Sequence, residues 1–317
     1  MTLNILLGSS QGIYQSSDYR ISALGSQLPL VEEHGAKQLS IRTFNWAANI
    51  EFAGIAHLGQ YSTRVWIVKT LESIGDHPFA ELIQALTDAG TKALGKVPEK
   101  ERRLTITLGA YADARLQAAL ISNWEFGPWA QLLRVPDHQL RSFTDSLDQP
   151  RLIITGVAQA VPKADRTLLL RSAHDGHDPQ RVADLIKWVH NRALRHPTLG
   201  KWVSPQCSIR YLARDGSGKD LTPGGAGIPD TFLCGFNLGR WLREHLRPAS
   251  APPGLRVRIL PAHVGRYPEI RAGEWYPARR EESTSTPGFW IDLTFSEVFV
   301  QDAHCEVRKA QPEAPPN

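Results

Sequence analysis

Thr2-Leu3-Asn4-Ile5-Leu6-Leu7-Gly8-Ser9-Ser10-Gln11-Gly12-Ile13-Tyr14-Gln15-Ser16-Ser17-Asp18-Tyr19-Arg20 opens the chain behind Met1, and its reading decides the fold. Leu3 to Leu7 is a short apolar run, Gly8 to Gly12 carries turn chemistry, and Ile13 to Gln15 resumes an extended pattern. Together they predict a β-hairpin. A hydroxyl residue therefore heads a strand. Removal of Met1, expected when the next residue is as small as Thr, would give Thr2 a free α-amine. A hydroxyl and an amine on one residue are a nucleophile and its own base.

Outward from the hairpin, Ala23 to Gly35 reads as a loop, Ala36 to Ile41 as a strand and Ala47 to Gly54 as its antiparallel partner. Glycine at the end of that partner lets another backbone or a substrate come close. Two helices follow. Tyr61 to Ile74 places Val65, Val68 and Leu71 at helical spacing, and Pro78 opens a second helix with Phe79, Leu82, Ile83 and Leu86 on one face. Short strands come next, at Leu104 to Leu108, Leu116 to Ser122, Gln139 to Thr144 and Arg151 to Ala158. A second helix pair spans Lys163 to Ala173 and Asp178 to Leu194. In its second member Asp178 is read as cap, Pro179 as first residue, and Val182, Leu185, Ile186, Val189 and Ala193 as the apolar stripe. Cys207 to Ala213 forms a further strand before the turn Arg214 to Gly218.

Strands and helices come in blocks, which argues against alternating parallel β-α units. The order predicts an α+β protein, a four-layer αββα sandwich of two antiparallel sheets flanked by helix pairs. That sandwich is expected over residues 1–218, with residues 219–317 as a Pro/Arg-rich C-terminal extension. Within the extension, Leu255 to Leu260 and Phe289 to Val300 read as strands, and the tail after Arg308 as unstructured. Pro223 to Gly227 is a loop and not a phosphate cradle, because no Gly-Lys-Ser/Thr follows it.

Composition narrows the function classes. With 42% hydrophobic and 21% charged residues over 317 positions, the chain matches ordinary globular proteins. No apolar run approaches the roughly 20 residues of a membrane span, and no signal-peptide pattern opens the sequence. Three cysteines, Cys207, Cys234 and Cys305, lack metal-ligand spacing and fit a reducing, cytoplasmic setting. His174-Asp175-Gly176-His177 brings two histidines close but completes no ligand set, so neither a metal nor another cofactor is expected. Between residues 240 and 280 nine arginines stand against three glutamates, more surplus charge than the net +4 of the whole chain. Such a stretch suits either a solvated face or an anionic partner, nucleic acid included.

The opening and the element order resemble the N-terminal nucleophile hydrolases, most closely the proteasome β-subunit-like branch. In that family a processed threonine begins the first strand, and an aspartate follows sixteen residues later in Ser/Ala-Asp-x-Arg. Thr2, Asp18 and Arg20 of Ser17-Asp18-Tyr19-Arg20 match that pattern. Lys37 matches the family's lysine at the head of the next strand, and Gly54 the glycine whose amide helps form the oxyanion hole. Gly156 and Ser204 match positions in its second half. The resemblance implies that Thr2 is nucleophile and α-amine base, that Asp18 and Lys37 assist it, and that Arg20 and Ser204 support them. It further implies a peptide or amide substrate and a homo-oligomer. Two departures stand out: Val157 replaces the family's serine after that glycine, and Lys201 replaces the aspartate three residues before Ser204. They leave open an alternative, a catalytically inactive scaffold that binds a protein or nucleic-acid partner through its Arg-rich C-terminal region.

Overall fold

The fold is taken from a computed structural model, which describes residues 2–18, 37–58, 61–126, 131–132, 139–204, 206–222, 231–238, 241, 255–267, 270, 273–281, 287–292 and 297–309. The expected loop at Ala23 to Gly35, the Pro223 to Gly227 loop and the tail beyond Lys309 lie outside the described residues. By Cα proximity the chain forms two compact units, Met1–Gly239 and Arg240–Asn317.

The first unit starts with the hairpin β1 (Leu3–Ser9) and β2 (Gly12–Asp18), joined through Ser10 and Gln11. It continues with β3 (Gln38–Arg42), β4 (Ala47–Gly54) and the short pair β5 (His57–Leu58) and β6 (Tyr61–Ser62). Helices α1 (Thr63–Ile74) and α2 (Phe79–Leu94) follow. Next come β7 (Leu104–Ala112), β8 (Arg115–Ser122), β9 (Glu125–Phe126), β10 (Gln131–Leu132), β11 (Arg141–Ser146) and β12 (Arg151–Gly156). Helices α3 (Lys163–His174) and α4 (Pro179–Leu194) precede β13 (Cys207–Ala213), β14 (Gly218–Asp220), β15 (Thr231–Leu233) and β16 (Phe236–Asn237).

These elements build the four layers. One sheet has the order β12-β1-β2-β13-β14, the other β11-β8-β7-β4-β3-β15-β16. Alternation along β1 assigns the faces: Leu3, Ile5 and Leu7 join Val182, Ile186 and Val189 of α4 in one core. Leu6 points the other way, with Ile13, Leu116, Leu120 and Ile153, into the space between the sheets. On the far side Ile50 and Phe52 of β4 and Ile106 and Leu108 of β7 pack with Ile67, Leu71, Leu82 and Leu86 of the first helix pair. Among the described residues the sheet pairings are antiparallel except β15 on β3, whose Thr231 lies opposite Ser40. That parallel addition carries the first unit past residue 218, where the sequence division was drawn.

Element ends depart from expectation for local reasons. Tyr61 and Ser62 pair with Leu58 and His57, so α1 starts only at Thr63, with Ser62 Oγ accepting the Val65 N–H at 3.4 Å as its cap. Asp178 precedes α4 but makes no side-chain capping bond, so Pro179 alone marks that start.

The described residues of the second unit form a five-stranded antiparallel sheet. In chain order its strands are β17 (Leu255–Ile259), β18 (Tyr276–Glu281), β19 (Gly288–Asp292), β20 (Glu297–Gln301) and β21 (Cys305–Lys309), arranged β20-β19-β18-β17-β21. The run Phe289 to Val300, read as one strand, is the hairpin of β19 and β20. Val257, Ile259, Phe289, Ile291 and Val300 form its small core. The guanidiniums of Arg258 and Arg308 lie 4.9 and 4.1 Å from the Trp275 ring, and Arg258 also pairs with Glu306 at 2.6 Å. Part of the arginine surplus is thus spent inside the unit.

Candidate functional site

Thr2 sits just ahead of β1, Asp18 closes β2 and Lys37 stands immediately before β3, so three separate segments meet at one end of the sandwich. All three side chains are buried, at 2%, 1% and 4% exposure. Lys37 Nζ donates to Thr2 Oγ1 at 2.6 Å and to Asp18 Oδ1 at 2.8 Å, and the Thr2 hydroxyl donates to Asp18 Oδ1. Asp18 Oδ2 accepts the Leu3 N–H at 2.9 Å, which ties the carboxylate to the backbone that carries Thr2. The arrangement is a threonine hydroxyl squeezed between an ammonium and a carboxylate. A cation at hydrogen-bond distance favours the alkoxide, and the carboxylate keeps the buried ammonium compensated.

The backbone at Thr2 is held by β12. Val157 N–H donates to the Thr2 carbonyl at 2.9 Å. Gly156 has φ +80°, and a Cβ there would lie 1.9 Å from the Thr2 oxygen, so only glycine fits this contact. Gly54 also has positive φ, +103°, and a Cβ would lie 2.1 Å from the Arg103 carbonyl. It ends β4 opposite Leu104, three positions beyond Glu51, the partner of Gln38. Its amide is therefore at the Lys37 end of the sheet.

The remaining expected site residues behave differently. Arg20 lies outside the described residues. Ser204 is buried, and its Oγ accepts the Gln206 N–H at 3.2 Å just before β13. Val157 is buried, whereas Lys201 is exposed, its ammonium 5.2 Å from the Trp202 ring. Among the described residues no group of three His, Cys, Asp or Glu side chains is placed to hold a metal ion. All three cysteines are unpaired.

Among the buried titratable groups that the sequence reading did not single out, His190, Glu51 and Glu125 have shifted ionisation. His190, on the apolar stripe of α4, brings Nε2 to 2.9 Å from Ser16 Oγ; burial pushes it down to about 4, with Asp18 acting upward and Lys37 downward. Glu51, mid-strand in β4, accepts from Thr107 Oγ1 at 2.9 Å and Gln38 Nε2 at 3.3 Å, and burial drives it up to about 8. Glu125 accepts the Gly156 N–H at 3.2 Å, and burial raises it to about 7. The signal for His190 was its place four residues after Ile186 on the buried face. For Glu51 it was a carboxylate set between Ile50 and Phe52 within a strand.

The fold and this cluster define an α+β sandwich with a buried Thr–Asp–Lys triplet at the head of its first strand. No family model matches the chain, and no curated protein matches its sequence. Among solved structures it is similar to the Gly-1 mutant of Anbu from Hyphomicrobium sp. strain MC1, with 13% identity, TM-score 0.47, and coverage of 71% of this chain and 90% of that one. It is also similar to Anbu, an ancestral beta-subunit, from Yersinia bercovieri, with 12% identity, TM-score 0.49, and coverage of 70% and 88%. At such identities the likeness is one of chain path and carries no activity over to this chain.

Proposed function

We propose that this protein is a proteasome-like N-terminal nucleophile hydrolase, a threonine amidohydrolase or peptidase that becomes active on removal of Met1. The observation that carries the reading is the buried hydrogen-bonded triplet of Thr2, Asp18 and Lys37. In the reaction Thr2 Oγ attacks the substrate carbonyl while the freed α-amine, with an ordinary pKa of ~7.7–8.0, accepts the hydroxyl proton. Lys37 stabilises the developing alkoxide, and Asp18 holds Lys37. The Gly54 amide would face the oxyanion, a contribution of about 3–4 kcal/mol for one such donor. The amine returns its proton to the leaving nitrogen, and water then hydrolyses the Thr2 ester. Ser204 and Arg20 support the site. The enzyme uses no metal or organic cofactor, works in the cytoplasm and assembles as a homo-oligomer.

A second reading has its own support. Val157 and Lys201 stand where the family carries polar groups that orient the amine, and an unoriented base loses much of its rate advantage. On that reading the sandwich is a silent scaffold, and the Arg-rich C-terminal region binds a protein or nucleic-acid partner.

A β-lactone probe separates the two. The hydrolase labels once per chain, the label is absent from Thr2→Ala, and Lys37→Ala slows it at least tenfold. A protein that keeps Met1, or takes up no label, is the scaffold. Retention on immobilised nucleic acid that weakens with salt would then identify its partner.

A further inference from the structure

A cavity of about 320 Å³ opens where the two sheets end, between the edge strands β12 and β11, with α3 alongside. That is near the small end of the roughly 300–1,000 Å³ typical of ligand sites. Ala118 and Leu120 of β8, Leu152 and Ile154 of β12, and Leu170 of α3 give it apolar walls. Two guanidiniums and one carboxylate interrupt them. Arg151 Nε lies 3.2 Å from Asp145 Oδ2, an ion pair that leaves the Nε–H without a hydrogen-bond partner. Arg166 is fixed differently: its Nε donates to the Val161 carbonyl at 3.0 Å and its Nη2 to the Ala158 carbonyl at 2.7 Å. Both partners of Arg166 are neutral, and among the described residues it makes no ion pair. A cation held by neutral carbonyls beside an apolar cavity is pre-organised for an anion and has no internal one.

The β12 edge adds to this. Val157 N–H bonds to Thr2, so along the antiparallel pair the amides of Thr155, Ile153 and Arg151 also face β1. Those of Leu152, Ile154 and Gly156 face outward. Glu125 takes the Gly156 N–H, while Leu152 and Ile154 remain on the open edge of the sheet beside the cavity.

We propose that this cavity binds a small amphipathic carboxylate, its aliphatic body against Leu120, Leu152 and Leu170 and its carboxylate on Arg166, with Arg151 contributing at the mouth. The one surplus positive charge of Arg151, Arg166 and Asp145 selects a monoanion over a neutral or cationic molecule of the same shape. This site is independent of any chemistry at Thr2.

Calorimetric titration of the full chain with decanoate, decanol and decyltrimethylammonium, each below its micelle concentration, tests the assignment. Decanoate is expected to bind once per chain and saturably, with decanol at least tenfold weaker and the cation not binding. Arg166→Gln should weaken decanoate about tenfold, the loss expected for one charge-assisted contact. Because Arg166 also ties two carbonyls, Leu170→Trp provides a second variant that fills the half-buried wall without touching them, and it should abolish binding with thermal unfolding unchanged. Non-saturable uptake of decanoate, equal binding of decanol, or full binding by Leu170→Trp would each overturn the proposal.

Discussion

Thr2, Asp18 and Lys37 share their hydrogen bonds so closely that removing one strands the others. Asp18→Ala leaves the Lys37 ammonium buried without its carboxylate, which typically costs about 3–5 kcal/mol. Urea unfolding should show that loss, whereas Thr2→Val, which keeps the ion pair, should cost far less. The buried titratable groups set a pH signature whose sign differs by residue. Glu51 is held up at about 8 against its ordinary 4.5, so the unfolded chain gives up this proton first. Its contribution to stability is complete below pH 4.5 and is lost as pH rises through 8, at about 1.4 kcal/mol per pH unit between. Glu125 acts in the same direction up to about 7. His190 is pushed down to about 4 from 6.5, so its contribution is present above pH 6.5 and disappears as pH falls through 4. Urea midpoints measured across pH 5 to 8.5 should fall on the alkaline side in the native protein and flatten there in Glu51→Gln. At this scale Thr2, Asp18 and Lys37 were legible as a set through the family resemblance, since each alone reads as an ordinary polar residue. His190, Glu51 and Glu125 were not, because a polar residue's burial depends on which face of a distant element it meets.

The elements were read largely from periodicity, and the places where that reading slipped are places where tertiary contact chose the boundary. Tyr61 fits the helical spacing, yet its pairing with Leu58 draws it into β6 and moves the cap to Ser62. The run from Phe289 to Val300 is apolar enough for one strand, but the backbone of Ile291 pairs with that of Val298 in antiparallel register. The contact between β12 and Thr2 is the element-scale feature with the plainest consequence. Gly156→Ala would force a side chain into the Thr2 carbonyl at φ +80°, a strain of about 1–3 kcal/mol before any steric displacement. Such a variant should unfold at lower urea than native protein, and any label at Thr2 should slow with it. A variant of unchanged stability would mean that β12 does not hold the Thr2 backbone as described.

At the scale of the whole molecule, the αββα layering followed from strands and helices arriving in blocks, and the three cores of the first unit bear it out. The extension over residues 219–317 was read with two strands because its prolines and arginines hide a short-strand pattern, and the five strands emerge only through their pairing. Its arginines are less available than their number suggested, since Arg258 meets Glu306 and Arg280 meets Asp302 at 3.4 Å. The proposal of a homo-oligomer belongs here. Light scattering after size exclusion should return a multiple of the chain mass, and a monomer at micromolar concentration would remove that part of the account. The central claim, that Thr2 is an N-terminal nucleophile, is tested most directly by intact mass before and after a β-lactone, with the adduct mapped by fragmentation. The account predicts a chain beginning at Thr2 that gains one probe mass on that residue. A chain that retains Met1, or an adduct elsewhere, would contradict it.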